Sequence, residues 1–220
     1  MVRMRRLGSK NVGTVERRRV IADAALRVFL SKGIVLSTID DILEAAQVSK
    51  GSLYHHFESK EGLAAAINID ALQKLHESLL SSLDGEESAE RGVKGFVHGY
   101  VEWFRTHRDL GKFIFLVQGS EELSAFAKDF SALHHKFLER CFAWVHAQQR
   151  RGALRDIPRD IYVPIIIGPS RDYIRTNLRD GKKVTKEAGA WLADAAWEMT
   201  KGAVKQAPAA PLRKRREPLH

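Results

Sequence analysis

Thr38–Lys60, TIDDILEAAQVSKGSLYHHFESK, is the stretch whose reading decides the fold. It divides into two short helices, a tight turn between them, and the start of a third helix. Thr38 can cap the first helix, and Asp41 completes a capping-box pattern with the shorter acid. Asp40 and Asp41 fall in the first turn, where the helix dipole favours negative charge. Ile39, Ile42, Leu43 and Ala46 form one apolar face at helical spacing. Gln47-Val48 is the turn, and Ser49 caps a second helix from about Lys50 to His56. On that helix Lys50, Gly51, Ser52, Tyr54 and His55 are small, basic or hydrogen-bonding, while Leu53 and Phe57 can point inward. A helix entering the DNA major groove needs this division, with its N-terminal residues at base edges and donors around them on phosphates. Spacing alone also fits an ordinary helical hairpin with a polar outer face, because the same geometry is common outside DNA binding.

Charge is distributed unevenly around this stretch. Residues 1–60 hold 11 Lys/Arg against 6 Asp/Glu, residues 61–200 hold 19 against 20, and residues 201–220 hold 6 against 1. A basic head beside a neutral body suggests that only the N-terminal part faces a polyanion; a solvated basic surface is the bland alternative. The hydrophobic content of 44% is ample for a core in a chain of 220 residues. No run of eighteen apolar residues is present, so no membrane span is expected. The basic N-terminus lacks the apolar core of a signal peptide. Cys141 is the only cysteine, so no intrachain disulfide can form. Together these features make a cytoplasmic location the expectation.

Working outward, residues 1–14 carry Arg3, Arg5, Arg6 and Lys10 and read as a basic arm, either reaching DNA or simply disordered. A first helix is expected from about Thr14 to Lys32, with Val20, Ile21, Ala24, Ala25, Val28 and Phe29 inward and Gly33 ending it. Arg17, Arg18 and Arg19 lie on its first turns, in reach of phosphate or merely solvated. Ser59 caps a long helix to about Leu83. Further helices are expected over about 89–107, 108–118, 121–151, 160–180 and 185–201, with Pro169 kinking the penultimate one. The last helix shows a stripe of Ala188, Trp191, Leu192, Ala195, Ala196 and Met199. The segment from residue 204 to 220 is Pro- and charge-rich and reads as a disordered basic tail. No strand alternation, internal repeat or nucleotide loop is found. The fold class is therefore all-α, with a head over residues 15–60 and a helical body over residues 61–203.

The head resembles the N-terminal DNA-binding domain of the tetracycline-repressor (TetR) family of transcriptional regulators. The matching residues are Thr38, Asp41-Ile42, Ala45-Ala46, Val48 through Tyr54, His56-Phe57 and Lys60-Glu61, with Ile21, Ala24-Ala25, Phe29 and Gly33 upstream. The match covers about residues 15–63; the body matches only in being helical and of suitable length. A weaker likeness, on Gly168-Pro169 through Arg175, is to a penultimate helix of some family members. The resemblance implies a three-helix head joined to an effector-binding and dimerisation body. The implied partners are double-stranded DNA carrying a palindromic operator, a second copy of the chain, and a small apolar or aromatic effector. Lys50, Gly51, Ser52, Tyr54 and His55 would read bases, with Thr38, Ser49 and Lys60 mostly fixing phosphates. The helix after Ser59 would act as a lever between body and head. Tyr173, Trp191, Ala195 and Met199 are the implied members of a four-helix dimer interface; the same stripes could instead close the monomer core.

Aromatic residues crowd the middle helices, and residues at such spacing are either core or pocket lining. Tyr100, Trp103, Phe104, Phe137 and Trp144 are the candidates for effector contact. The histidines show no metal-ligand spacing with carboxylates or Cys141, although His134 and His98 could meet after folding. No metal and no cofactor are expected. No Ser-His-Asp set, paired carboxylates or Gly-rich phosphate loop argues for an enzyme. The functions left in play are a ligand-responsive repressor, a non-specific nucleic-acid binder using its basic ends, and a helical small-molecule binder with a structural helix-turn-helix.

Overall fold

The protein is described here by a computed structural model covering residues 9–202. Nine α-helices and one 3-10 helix build it, with a single isolated bridge between Leu154 and Lys201 and no strand among the described residues. Helix α1 spans Ser9–Leu36 and is interrupted at Gly33, whose φ of 75° takes the chain out of helical geometry as expected. The helix starts at Ser9 rather than Thr14, so residues 9–14 continue it instead of belonging to an arm. Gly13 there costs a helix only about 1 kcal/mol, and no proline intervenes. Residues 1–8 and the tail expected from residue 204 onward lie outside the described residues.

Helices α2 (Ile39–Ala46), α3 (Lys50–His56) and α4 (Lys60–Ser81) follow at the predicted places. Their inward residues meet those of α1 in one cluster: Ile21, Phe29, Ile42, Leu53 and Leu63 have no exposed surface. The body enters this head. Helix α6 (Arg108–Val117) inserts Phe113 and Val117 into the same cluster, and the Phe113 ring stacks on Phe29 with centroids 5.9 Å apart.

Helices α5 (Ala89–Thr106), α7 (Ala127–Arg150), α8 (Arg159–Arg179) and α9 (Lys186–Thr200) complete the body. The helix expected over 121–151 is divided. Glu121–Phe126 is a 3-10 helix, because Leu123 is buried and Phe126 packs on the head cluster, which turns the chain before α7 begins. Helix α8 runs on as one helix through Pro164 and Pro169. The stripe expected on α9 is also divided. Gly189, Ala193 and Ala196 face α5, where a Cβ on Gly189 would sit 3.2 Å from Val101 Cγ1, while Trp191, Ala195 and Met199 face outward. Small residues on the inner line let α5 and α9 approach closely; the large ones are left on the surface.

Candidate DNA-reading head and effector cavity

The turn between α2 and α3 is fixed by local hydrogen bonds. Asp41 N donates to Thr38 Oγ1 at 3.1 Å and Thr38 N donates to Asp41 Oδ2 at 2.9 Å, the reciprocal capping box. Lys32 Nζ donates to Asp41 Oδ1 at 2.7 Å. The Lys32 ammonium, followed by the Thr38 N–H, holds the Asp41 carboxyl down to about 2. Gln47 closes α2 in the left-handed region at φ 52°, its N–H turned back to the carbonyls of Glu44 and Leu43. Ser49 Oγ then accepts from Ser52 N at 3.2 Å and starts α3.

Helix α3 is thus held by buried Leu53 and Phe57 on one side and presents Lys50, Gly51, Tyr54 and His55 on the other. Ser52 is half-buried, and Thr38 and Ser49 are exposed or half-exposed with their hydroxyls serving as caps. A Cβ built on Gly51 meets nothing within 4 Å, so no packing inside the protein demands glycine there. A glycine at that point leaves room for something outside the chain. Of the arginines beside α3, Arg19 pairs with Glu16 at 2.7 Å, Arg18 lies over the Phe57 ring at 5.1 Å, and Arg17 is exposed.

Lys60 has a role the sequence did not reveal. Its Nζ donates to Ser37 O at 2.8 Å and Val35 O at 3.3 Å, tying the start of α4 to the segment that leads into α2. The side chain is 19% exposed, so its charge is only partly offered to a phosphate.

The second site is a cavity of about 480 Å³ lined by α4, α5, α6, α7 and α8 and open to solvent on one side. Of the five aromatic candidates, Tyr100, Phe104, Phe137 and Trp144 line it. Trp103 does not: its ring turns away and stacks on His107 at 4.7 Å. Tyr100 and Phe104 are one helical turn apart and share a face that Trp103 leaves. The Trp144 indole N–H donates to Glu86 O at 2.8 Å, and a Cβ on Gly92 would collide with that ring.

Polar lining residues were missed by the aromatic count. Helix α4 and the turn after it contribute Asn68, Leu72, Leu75, His76, Leu79 and Leu83, a single helical stripe interrupted by one amide and one imidazole. That interruption was readable in the sequence. Asn68 and His76 are buried, and Asn68 Oδ1, His76 Nδ1 and the Tyr162 hydroxyl have no hydrogen-bond partner. His76 stacks on Phe137 at 4.0 Å; burial, with the nearby His134, pushes its imidazole down to about 4, so it is neutral at pH 7. Burial also pushes the Cys141 thiol up to about 12. Arg171 is the one Lys or Arg in the lining, and no Asp or Glu belongs to it. His134 meets His76, with centroids 6.0 Å apart, rather than His98. No group of three metal-ligating side chains gathers among the described residues.

The residues expected at a dimer interface do not converge on the cavity. Trp191 is 79% exposed and shares an outward stripe of α9 with Ala195 and Met199. Tyr173 is half-buried, its hydroxyl accepting from Thr185 N at 3.3 Å across the turn between α8 and α9.

Fold and sites together define a class, an all-helical protein with a helix-turn-helix head on a body that holds a cavity. Residues 21–67 match the family described as bacterial regulatory proteins, tetR family. Over 75 residues the chain is 35% identical to the HTH-type transcriptional regulator TtgR of Pseudomonas putida, covering 34% of this chain and 35% of that protein. Over 82 residues it is 37% identical to the HTH-type transcriptional repressor KstR2 of Rhodococcus jostii, covering 36% and 40%. The matched stretch thus spans little more than a third of these curated relatives. A solved TetR family transcription regulator from Marinobacter aquaeolei has the same fold, with a TM-score of 0.71, 16% identity and coverage of 88% of this chain and 99% of that one. The head of the chain thus matches the tetR family of bacterial regulatory proteins, and the whole chain shares the fold of a solved member of that family. No helix among the described residues is long and apolar enough to cross a membrane.

Proposed function

We propose that the protein is a homodimeric repressor that reads a palindromic operator with α3 of each protomer and is released by a small molecule entering the body cavity. The observation that carries this reading is the continuity of α4. Its first turns hold the head, through Lys60 to Ser37 and through buried Leu63 and Ala64, and its later turns line the cavity from Asn68 onward. Helix α6 gives a second connection, with Phe113 in the head core and Ile114 and Phe115 on the cavity. A ligand that favours one arrangement of α4 and α6 therefore favours one placement of α3.

Reading a palindrome requires two α3 helices about one DNA turn apart, roughly 34–36 Å, and so a symmetric pair of chains. The outward stripe of Trp191, Ala195 and Met199 supports that pairing, because Trp191 and Met199 lie two turns apart on one face of α9 and leave a connected apolar surface. Release needs only differential binding: a tenfold loss of operator affinity corresponds to about 1.4 kcal/mol.

Selection of bound DNA from a random pool tests the reading. Enrichment of an inverted repeat with half-sites one turn apart is the expected result. Uniform retention of random sequences would instead favour a non-specific nucleic-acid binder.

A further inference from the structure

The cavity has a direction, set by how its walls run. Trp144 on α7 donates to Glu86 O beyond the end of α4, Gln148 donates to Glu87 O, and Arg140 pairs with Asp84 at 3.2 Å. Earlier on both helices His76 meets His134. Helices α4 and α7 therefore run parallel, with Leu83 and Trp144 at one end and Asn68 and Phe130 at the other. Helix α5 starts at the Trp144 end, where Gly92 lies under the indole, and carries Tyr100 two turns further along.

Polarity follows the same axis. At 1.5 Å per residue, His76 lies roughly 8 Å before the end of α4 at Ser81, and Tyr100 roughly 12 Å along α5 from Gly92. Arg171 is exposed at the edge of the lining and lies roughly 13 Å along α8 from Tyr162, whose ring meets Phe142 near the Trp144 end. His76, Tyr100 and Arg171 thus stand at one level of the cavity, with unpartnered Asn68 further toward the head. Apart from the Tyr162 hydroxyl, the Trp144 end offers apolar surface. The one fixed charge is positive, since no carboxylate lines the cavity and His76 is neutral. A cationic ligand would find no counter-charge there, and a neutral hydrocarbon would leave buried polar atoms unpaired, which costs free energy.

We infer that the cavity takes an elongated amphiphile with one anionic head group, a medium-chain aliphatic carboxylate, its tail against Trp144 and its head at the level of His76 and Arg171. This rests on the reading of the cavity as an effector site and adds the chemical class of the effector. Arg171 supplies the charge and the donors, His76 a neutral hydrogen-bonding partner, and Trp144 the end wall that limits chain length.

Displacement of the apolar dye N-phenyl-1-naphthylamine from the full-length protein tests this, using octanoate, decanoate and dodecanoate beside the 1-alcohols and alkylamines of equal length. The carboxylate is expected to displace the dye at roughly tenfold lower concentration than its alcohol, as for one charge-assisted hydrogen bond, with the amine weakest. Arg171→Gln is expected to bring acid and alcohol within about twofold of each other while leaving the alcohol unchanged. Trp144→Ala should move the preferred chain length upward. Alcohols or amines that compete as well as acids, or an acid preference that survives Arg171→Gln, would overturn the head-group assignment alone. A dye that fails to enter a protein shown to be helical by circular dichroism would overturn the effector site itself, and this assignment with it.

Discussion

At the scale of single residues, the two sites use side chains in opposite ways. On α3 the Tyr54 side chain is exposed while Leu53 and Phe57 are buried, so Tyr54 can be changed without disturbing either of them. Tyr54→Ala is expected to weaken operator binding by roughly tenfold to a hundredfold, the worth of one good base contact. A gel shift against operator and random DNA checks this, with gel filtration showing an unchanged dimer. Lys60 differs because its ammonium already serves two carbonyls. Lys60→Ala is expected to lower the melting temperature, through loss of a charged hydrogen bond worth about 1.5–3 kcal/mol less solvent screening. It should also weaken operator and random DNA together, with a smaller salt slope; a fall in stability alone would leave Lys60 a purely structural tie. In the cavity the buried His76 binds its proton far less readily than the usual imidazole at 6.5. The unfolded chain takes up that proton below 6.5 and the folded one only near 4, so stability is full above 6.5 and declines as pH falls toward 4. Denaturant midpoints across that window should show a loss of roughly 2–3 kcal/mol that His76→Phe removes.

At the scale of elements, the short helices of the head were legible because their signals are local. The Thr38–Asp41 box, the Ser49 cap and the Ser59 cap each lie within a few residues of the bonds they make, and each forms as the sequence implies. The body was less legible. The split of 121–151 depends on Leu123 and Phe126 finding the head, a contact no window of sequence contains. Small residues carry the close contacts there. Gly92 lies under Trp144, so Gly92→Ala must push the indole off Glu86 O. An overpacking cost of about 1–3 kcal/mol is expected in urea denaturation, with a shift in tryptophan emission; no loss of stability would show that the ring relocates freely.

At the scale of the whole molecule, α4 and α6 belong to head and body at once, which makes the chain one mechanical unit. On the proposed reading, the outward face of α9 is the surface offered to a second chain. Trp191→Asp combined with Met199→Glu is expected to give a monomer that keeps its helical signal by circular dichroism and loses operator affinity. Sedimentation velocity at micromolar concentration checks this, and a dimer persisting in the double variant would place the interface elsewhere.

The sequence by itself determined the head: its capping residues, its inward line of Ile42, Leu53 and Phe57, and its basic outer face all act over a turn or two of chain. It also marked the aromatic body that would be hollow or packed. Only the tertiary structure decided which aromatics face the cavity, turning Tyr100 and Phe104 inward and Trp103 onto His107. It alone brought Asn68, His76 and Arg171 to that cavity and left Trp191 outside. The reason is physical. Caps and turns are fixed by neighbours in sequence, whereas a cavity is the space left when helices far apart in the chain pack, and its polarity is unknown until they meet.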